Sequence, residues 1–226
     1  MLKSICEDVD GVSQKEAWFE KRTDRHVAAV QANAQKIADA FPDLADDLMA
    51  QVAHHDDSKY EEPERAPYIE LTWKHKNDKY DSYKTPGTIS DDEINQATMH
   101  HIKGNKHHPE YWNKEDANLD PEDRDKSVES LDASKMDNVS IAEMIADWQA
   151  MSEEVGKNTA REWFEKNKDV RWSFNEDQTA LIDKLLNVFE EMNEDGTWMA
   201  SPQISMSQRN IDLDPDPEEE KEYFYA

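Results

Sequence analysis

The segment His54-His55-Asp56-Asp57-Ser58-Lys59 sets imidazoles directly against carboxylates in a chain with only eight histidines in 226 residues. Imidazole nitrogen and carboxylate oxygen together are the ligand set of divalent cations such as zinc, manganese, iron and cobalt, and a bound cation offsets the cost of burying the carboxylates. Three further residues of the same types fall on apolar helix faces. His26 shares a face with Val30 and Ile37, His101 closes the stripe of Ile94 and Ala97, and Asp147 lies among Met144, Trp148 and Met151. Each alone also fits a plainer reading, a hydrogen-bonded core histidine or an acid at the edge of a stripe. Together with His55 and Asp56, four such coincidences in one small domain favour a metal site.

The elements that must position these residues read as helices. Residues 13 to 41 carry Val27, Val30, Ala34, Ile37 and Phe41 at spacings of three and four, and Pro42 ends the run. A second helix from about Asp43 has Leu44, Leu48, Val52 and His55 on one face, so the His-Asp segment is its C-terminal end. Residues 61 to 90 are mixed, with Pro63 and Pro67, an aromatic and apolar patch from Tyr68 to Trp73, and then a polar loop through Pro86 and Gly87, and no helix is assigned there. Ser90 and Glu93 have capping-box spacing and open a helix that stops near Gly104. Strong periodicity returns over 139 to 155, followed by helices at about 158 to 168 and 176 to 193. No stretch alternates as a strand. The expected fold is all-α, a helical domain over 1–195 with an acidic insertion at 113–135, and a separate acidic tail over 196–226.

Bulk composition narrows the function. The net charge of −26 repels nucleic-acid backbones and anionic membranes, so neither is an expected partner. Five glycines and no GxGxxG, GxxxxGK[ST] or GxSxG remove the common phosphate-loop and nucleophile-elbow motifs. The single cysteine, Cys6, removes a disulfide framework and every multi-cysteine zinc site. Without an apolar run of membrane length or a signal-peptide core, the chain reads as cytoplasmic. Within the acidic chain, residues 21–30 hold three bases against one acid and residues 100–112 two against one, so the motif segments are positive islands suited to a small anion.

The order His26, then His55-Asp56, then a distant Asp147 resembles the HD-domain superfamily of metal-dependent phosphohydrolases, whose adjacent His-Asp pair is followed by a small residue and a lysine, here Ser58 and Lys59. A closer likeness is to an uncharacterised HD-like family of phages and bacteria, DUF5662. That family shows an HD-x-SK segment, then N-x-HH with an aromatic pair, then E-M-[IV]-A-D-W; this chain has "HDDSK", "HHIKGNKHHPEYW" and "EMIADW", and its "EWFEKN" is similar to a further W-[YF]-x-x-N element. The likeness covers about residues 20 to 190. The acidic insertion is longer than usual and the tail has no counterpart.

The resemblance implies an HD-domain-like bundle with one divalent metal (Mn, Co, Zn, Fe or Mg) held by His26, His55, Asp56 and Asp147, and, as in binuclear members, His101 and His107 as ligands of a second. His108 and Asn105 are expected to face substrate, and the alternative for these histidines is hydrogen bonding to substrate or stacking beside Tyr111 and Trp112. Lys59 is expected to neutralise phosphate charge, helped by Arg22, Arg25, Lys103 or Lys106, and Asp57 to orient water, with a solvated helix-end acid as its plainer reading. The implied function is hydrolysis of a small phosphate ester, a nucleotide first of all, by a 5′-nucleotidase or nucleoside triphosphate hydrolase, in the host cytoplasm if the chain is phage-encoded. The alternatives are an HD-type di-iron oxygenase and a non-catalytic binding protein.

Overall fold

A computed structural model describes residues 14–77, 89–117, 130–156, 159–192 and 198–200. Among them the chain is all-α apart from four short strands. Helix α1 spans Gln14–Ala40 and α2 Pro42–Val52, with Pro42 at the first helical position, where its missing N–H costs nothing. A 3₁₀ turn at Asp57–Tyr60 leads to α3, Arg65–Asn77, and then α4, Asp91–Gly104, and the short α5, Pro109–Trp112. Helix α6 spans Asn138–Val155, α7 Ala160–Asn167 and α8 Glu176–Leu186, the last running into a 3₁₀ turn at Asn187–Phe189. Strands β1 (Leu131–Asp132) and β2 (Trp172–Ser173) pair in parallel, and β3 (Glu190–Met192) pairs antiparallel with β4 (Trp198–Ala200).

Helix α6 is the axis of the molecule. Twelve of its residues are buried, Ile141, Met144 and Ile145 among them, and it packs against α1, α2, α7 and α8. The apolar stripe of α1, Val30, Ala34 and Ile37, meets Leu48 and Val52 of α2 and the flank of α6 in one continuous core. Trp148 stacks on Trp172 with ring centroids 5.6 Å apart and belongs to this core.

Local chemistry sets the helix ends. Ser90 accepts from Glu93 N–H while Glu93 reaches back to the Ser90 N–H, closing the capping box expected there. Thr159 and Glu162 close another on α7, and Asp137 accepts from Ser140 N–H at 2.8 Å to start α6. Gly156, at φ 72°, ends α6 in the left-handed conformation that suits glycine.

Four expectations are corrected. The 61–90 stretch contains a helix, α3, because Pro67 sits in the first turn, where it breaks no hydrogen bond, and because Glu70 and Arg65 pair with Lys15 and Glu16 of α1 at 2.6 Å. Helix α2 ends at Val52, before the His-Asp segment. The final helix stops at Leu186, and the chain turns into β3 at Glu190. Strands do occur, and one, β4, lies in the segment assigned to the tail. Most of the acidic insertion and residues 201–226 fall outside the described residues. No helix among the described residues is long and apolar enough to cross a membrane.

Candidate metal centre

Five elements converge on Asp56. His26 comes from the middle of α1, His55 and Asp56 from the turn after α2, His101 from the last turn of α4, His107 and His108 from the turn that follows, and Asp147 from α6. The doublet faces inward because the chain reverses there. Asp56 takes the left-handed conformation (φ 63°, ψ 12°), which costs a non-glycine residue about 1–2 kcal/mol but is best tolerated by Asp and Asn. On a continued helix, residues 55 and 56 would diverge by about 100°. The turn points both side chains into the same buried space, where His55 is 2% and Asp56 1% exposed.

The distances define a cluster of ligand atoms. His26 Nε2 lies 3.1 Å from Asp147 Oδ1 and 3.7 Å from Asp56 Oδ2, and His55 Nε2 lies 3.7 Å from Asp56 Oδ2 and 3.9 Å from Asp147 Oδ1. On the other side of Asp56, its Oδ1 faces His101 Nε2 at 3.2 Å and His107 Nε2 at 3.8 Å. His107 and His108 rings are 4.2 Å apart. Lys59, itself buried, sets its Nζ 2.8 Å from Asp56 Oδ2 and over the Tyr68 ring.

Glutamates stand behind the outward nitrogens of four histidines, Glu143 serving both His55 and, at 3.5 Å, His107. His55 Nδ1 donates to Glu143 Oε1 at 2.8 Å, His101 Nδ1 to Glu64 Oε2 at 2.9 Å, and His26 Nδ1 stands 3.9 Å from Glu154 Oε2. A carboxylate only accepts, so the bonded Nδ1 carries a proton, and Nε2 is the nitrogen turned toward Asp56. Glu143 lies at i−4 from Asp147 on α6, a spacing that marks it on the sequence; nothing in the sequence singles out Glu64, which sits between Pro63 and Arg65.

Residues that could hold a cation pass a direct test. Both Asp56 oxygens, Asp147 Oδ1, His55 Nε2 and His101 Nε2 are buried without an aligned hydrogen bond. Such atoms cost about 1–3 kcal/mol each when unsatisfied, and here they face one another. The surrounding ionisable groups are mostly acidic: Asp56, Glu64, Glu143, Asp147 and Glu154, with Lys59 inside and Arg22 and Arg25 against Glu154 at 3.0 and 3.4 Å. The sets His26–His55–Asp147, His55–His107–Glu143 and His101–His107–His108 each gather ligand atoms close enough to share one ion.

Proton affinities follow from this crowding. Burial would depress the His55 imidazole, but Asp56, Glu143 and Asp147 outweigh it and raise its pKa to about 9. Burial pushes the Asp56 carboxyl up, yet Lys59, His55 and His101 hold it well below its usual range. His107 and His108 go the other way, held well below the ordinary histidine value by burial and by their histidine neighbours. They are therefore neutral, with lone pairs to offer.

Not every expected site residue joins the cluster. Asp57 points outward, 67% exposed and bonded to His54 at 2.9 Å, because the turn that brings Asp56 in sends the next residue out; it is corrected from water-orienting group to surface acid. Asn105 caps α4 and donates to Ser58 Oγ and His101 O, both at 2.9 Å, so its amide braces the cluster instead of facing a substrate. Arg25 is paired with Glu154 on the Nδ1 side of His26, behind the ligand atoms. His108 is half-buried with Nε2 unbonded, and Lys103 is half-buried in the last turn of α4.

A helical fold closed around buried, unpartnered histidine and aspartate atoms defines the class: an all-α protein with side chains that could hold a metal ion. The chain belongs to DUF5662, a family of unknown function, which it matches over residues 15–188, a span that contains every residue of the cluster. No curated protein and no solved structure matches it.

Proposed function

We propose that the chain is an HD-type metal-dependent phosphohydrolase acting on a small phosphate ester, with a nucleotide as the leading substrate. The observation that carries this reading is the buried set of ligand atoms around Asp56 that make no aligned hydrogen bond, with Lys59 Nζ standing 2.8 Å from Asp56 Oδ2. His26, His55, Asp56 and Asp147 would hold one divalent cation, and His101 and His107, on the Oδ1 side of Asp56, a second. When bound, such a cation supplies Lewis acidity and brings the pKa of water toward neutrality.

The chain's own groups support the rest. Buried carboxylates repel phosphate, so an anionic substrate requires the cation to reverse the local charge first. Lys59 adds a fixed positive charge at the same place, 2.8 Å from Asp56, where it would stabilise negative charge developing on phosphoryl oxygens. His108 offers a neutral, half-buried imidazole beside His101 and His107 for a substrate contact. The acidic surface favours a small anion over a long polyanion, and a cytoplasmic setting completes the reading.

One observation favours a second reading. The histidines flank both oxygens of Asp56, His26 and His55 at Oδ2 and His101 and His107 at Oδ1, a donor set that suits two irons and the oxygen chemistry of a di-iron oxygenase. Metal analysis of the purified protein, joined to a phosphate-release screen over mono-, tri- and cyclic nucleotides, tests both. Phosphate release with manganese, cobalt or magnesium is expected; a mixed-valent iron pair with oxygen uptake replaces the hydrolase reading by the oxygenase, and failure to retain any transition metal leaves a non-catalytic binding protein.

A further inference from the structure

Glu143 is the only glutamate of the three described above whose single oxygen reaches two imidazoles. Its Oε1 lies 2.8 Å from His55 Nδ1 and 3.5 Å from His107 Nδ1. The two rings lie 4.3 Å apart at an interplanar angle of 38°, and their opposite nitrogens stand almost equally far from the two oxygens of Asp56, 3.7 Å for His55 and 3.8 Å for His107. The pair is thus held between one carboxylate behind and one in front. Glu143 is itself fixed: Gln51 Nε2 donates to its Oε2 at 2.6 Å and also to Ser140 Oγ at 3.1 Å, and the residue is 2% exposed. Its other oxygen is therefore committed within the protein, so Glu143 has one oxygen left for the imidazoles.

From this geometry we infer that Glu143 is a shared positioning residue. It sets the Nδ1–H form of both His55 and His107 and so presents their Nε2 atoms to a cation as a unit, without ligating the cation itself. The two histidines come from different elements, the turn after α2 and the turn after α4, and no covalent proximity coordinates them. A single carboxylate on α6 does so, because it can only accept: it takes the Nδ1–H of His55 at 2.8 Å, and at 3.5 Å it favours an N–H over a lone pair on the Nδ1 of His107. Outer partners of this kind typically change metal affinity by about 10–100-fold when removed.

The inference rests on the metal reading, and the test keeps the two separable. Zinc is titrated into the full chain and into Glu143→Gln, Glu64→Gln and His107→Ala, with binding read by chelator competition and the ring nitrogens by ¹⁵N NMR of the zinc-loaded protein. In the unsubstituted protein, zinc bound through Nε2 of His55 is expected, and absence of zinc binding overturns the metal reading itself. In Glu143→Gln, zinc stoichiometry is expected to stay the same while affinity falls about 10–100-fold and the ¹⁵N shifts of both His55 and His107 move. Glu64→Gln is expected to move His101 and His100, which meets the other Glu64 oxygen at 2.7 Å, and to leave His55 and His107 in place. Because Glu143 acts through His107, adding His107→Ala to Glu143→Gln is expected to cost less affinity than His107→Ala by itself.

Unchanged affinity and unchanged His55 and His107 shifts in Glu143→Gln overturn the positioning role while leaving the metal centre standing. Loss of one zinc per chain overturns it in another way, by making Glu143 a ligand. Should Glu143→Gln fail to fold, Glu143→Asp, which keeps the charge and draws the oxygens back by one methylene, is read by the same outcomes.

Discussion

Two polar networks, one part-exposed at the start of α7 and one buried around Asp56, end in opposite states. Around Arg161, at the start of α7, every guanidinium nitrogen is used: Nε bonds Glu190 at 2.7 and 2.9 Å, Nη1 bonds Asp183 at 3.2 Å, and Nη2 bonds Asn187 at 2.7 Å. Around Asp56, five ligand atoms find no aligned hydrogen bond although His101 Nε2 lies 3.2 Å from Asp56 Oδ1, and His55 Nε2 lies 3.7 Å from Asp56 Oδ2 and 3.9 Å from Asp147 Oδ1. The first network is closed and serves to fasten the segment after α8 onto α7. The second is open, its outer ring satisfied by Glu64 and Glu143 and its inner ring left over. Folding that satisfies the outside of a cluster and leaves its inside unsatisfied makes a place that could hold a metal ion.

The strongest way to break this contrast is Asp56→Ala. Removing the carboxylate between the two sets of histidines is expected to abolish metal retention and to lower phosphate release by about 10²-fold or more, with helix content by circular dichroism nearly unchanged. Full metal occupancy in that variant would show that the open network is not a metal centre. Lys59→Met probes the same side with the ligands left in place: metal content is expected to hold while phosphate release falls about 10²-fold, and unchanged turnover would remove Lys59 from the chemistry.

Metal itself sharpens the comparison. An open network is expected to gain stability from its guest, about 2.7 kcal/mol at a free metal concentration a hundred times Kd, read as a rise in Tm that a chelator reverses. Arg161→Met addresses the closed network. It strands Glu190, which is mostly buried, so a loss of about 1–3 kcal/mol is expected, with Asp183 adding little because it is half-exposed and screened. Metal affinity should not change, and a coupled loss of metal would mean that the two networks are not independent.

The smallest effect belongs to Ser90, far from either network. Ser90→Ala removes the N-cap of α4 and is expected to cost about 1 kcal/mol, without altering metal content. The same cap has a pH signature. Hydrogen bonds from Ser90 hold the Glu93 carboxyl below its ordinary 4.5, so the contribution of Glu93 is present above that pH and lost as pH falls through the lower folded value. Acid titration of the unsubstituted protein and Ser90→Ala, followed by thermal melts, should show the difference shrinking in that window.

How much of this was legible in the sequence differs by element and by residue. The inward faces of α1, α4 and α6 follow from their own periodicity, and the start of α4 from its capping box, because these depend on contacts three or four residues apart. For the same reason His26, His101 and Asp147 could be placed on buried faces before any fold was known. Helix α3 could not: its apolar residues form no clear stripe, and it is held by Lys15 and Glu16, about fifty residues away. Asp57 was misplaced because a helix continued past Val52 predicts nothing of the left-handed turn at Asp56.

By itself, then, the sequence determined the all-α class, most of the helix limits, and a set of imidazoles and carboxylates too costly to bury without a partner. Tertiary structure alone decided how they meet. The reversal at Asp56 is sustained by packing on every side, the glutamates behind His55 and His101 come from distant elements, and the direction of each imidazole depends on which nitrogen its glutamate takes. Those are long-range choices, made only when α1, α2, α4 and α6 close on one another, and no local pattern of residues encodes them.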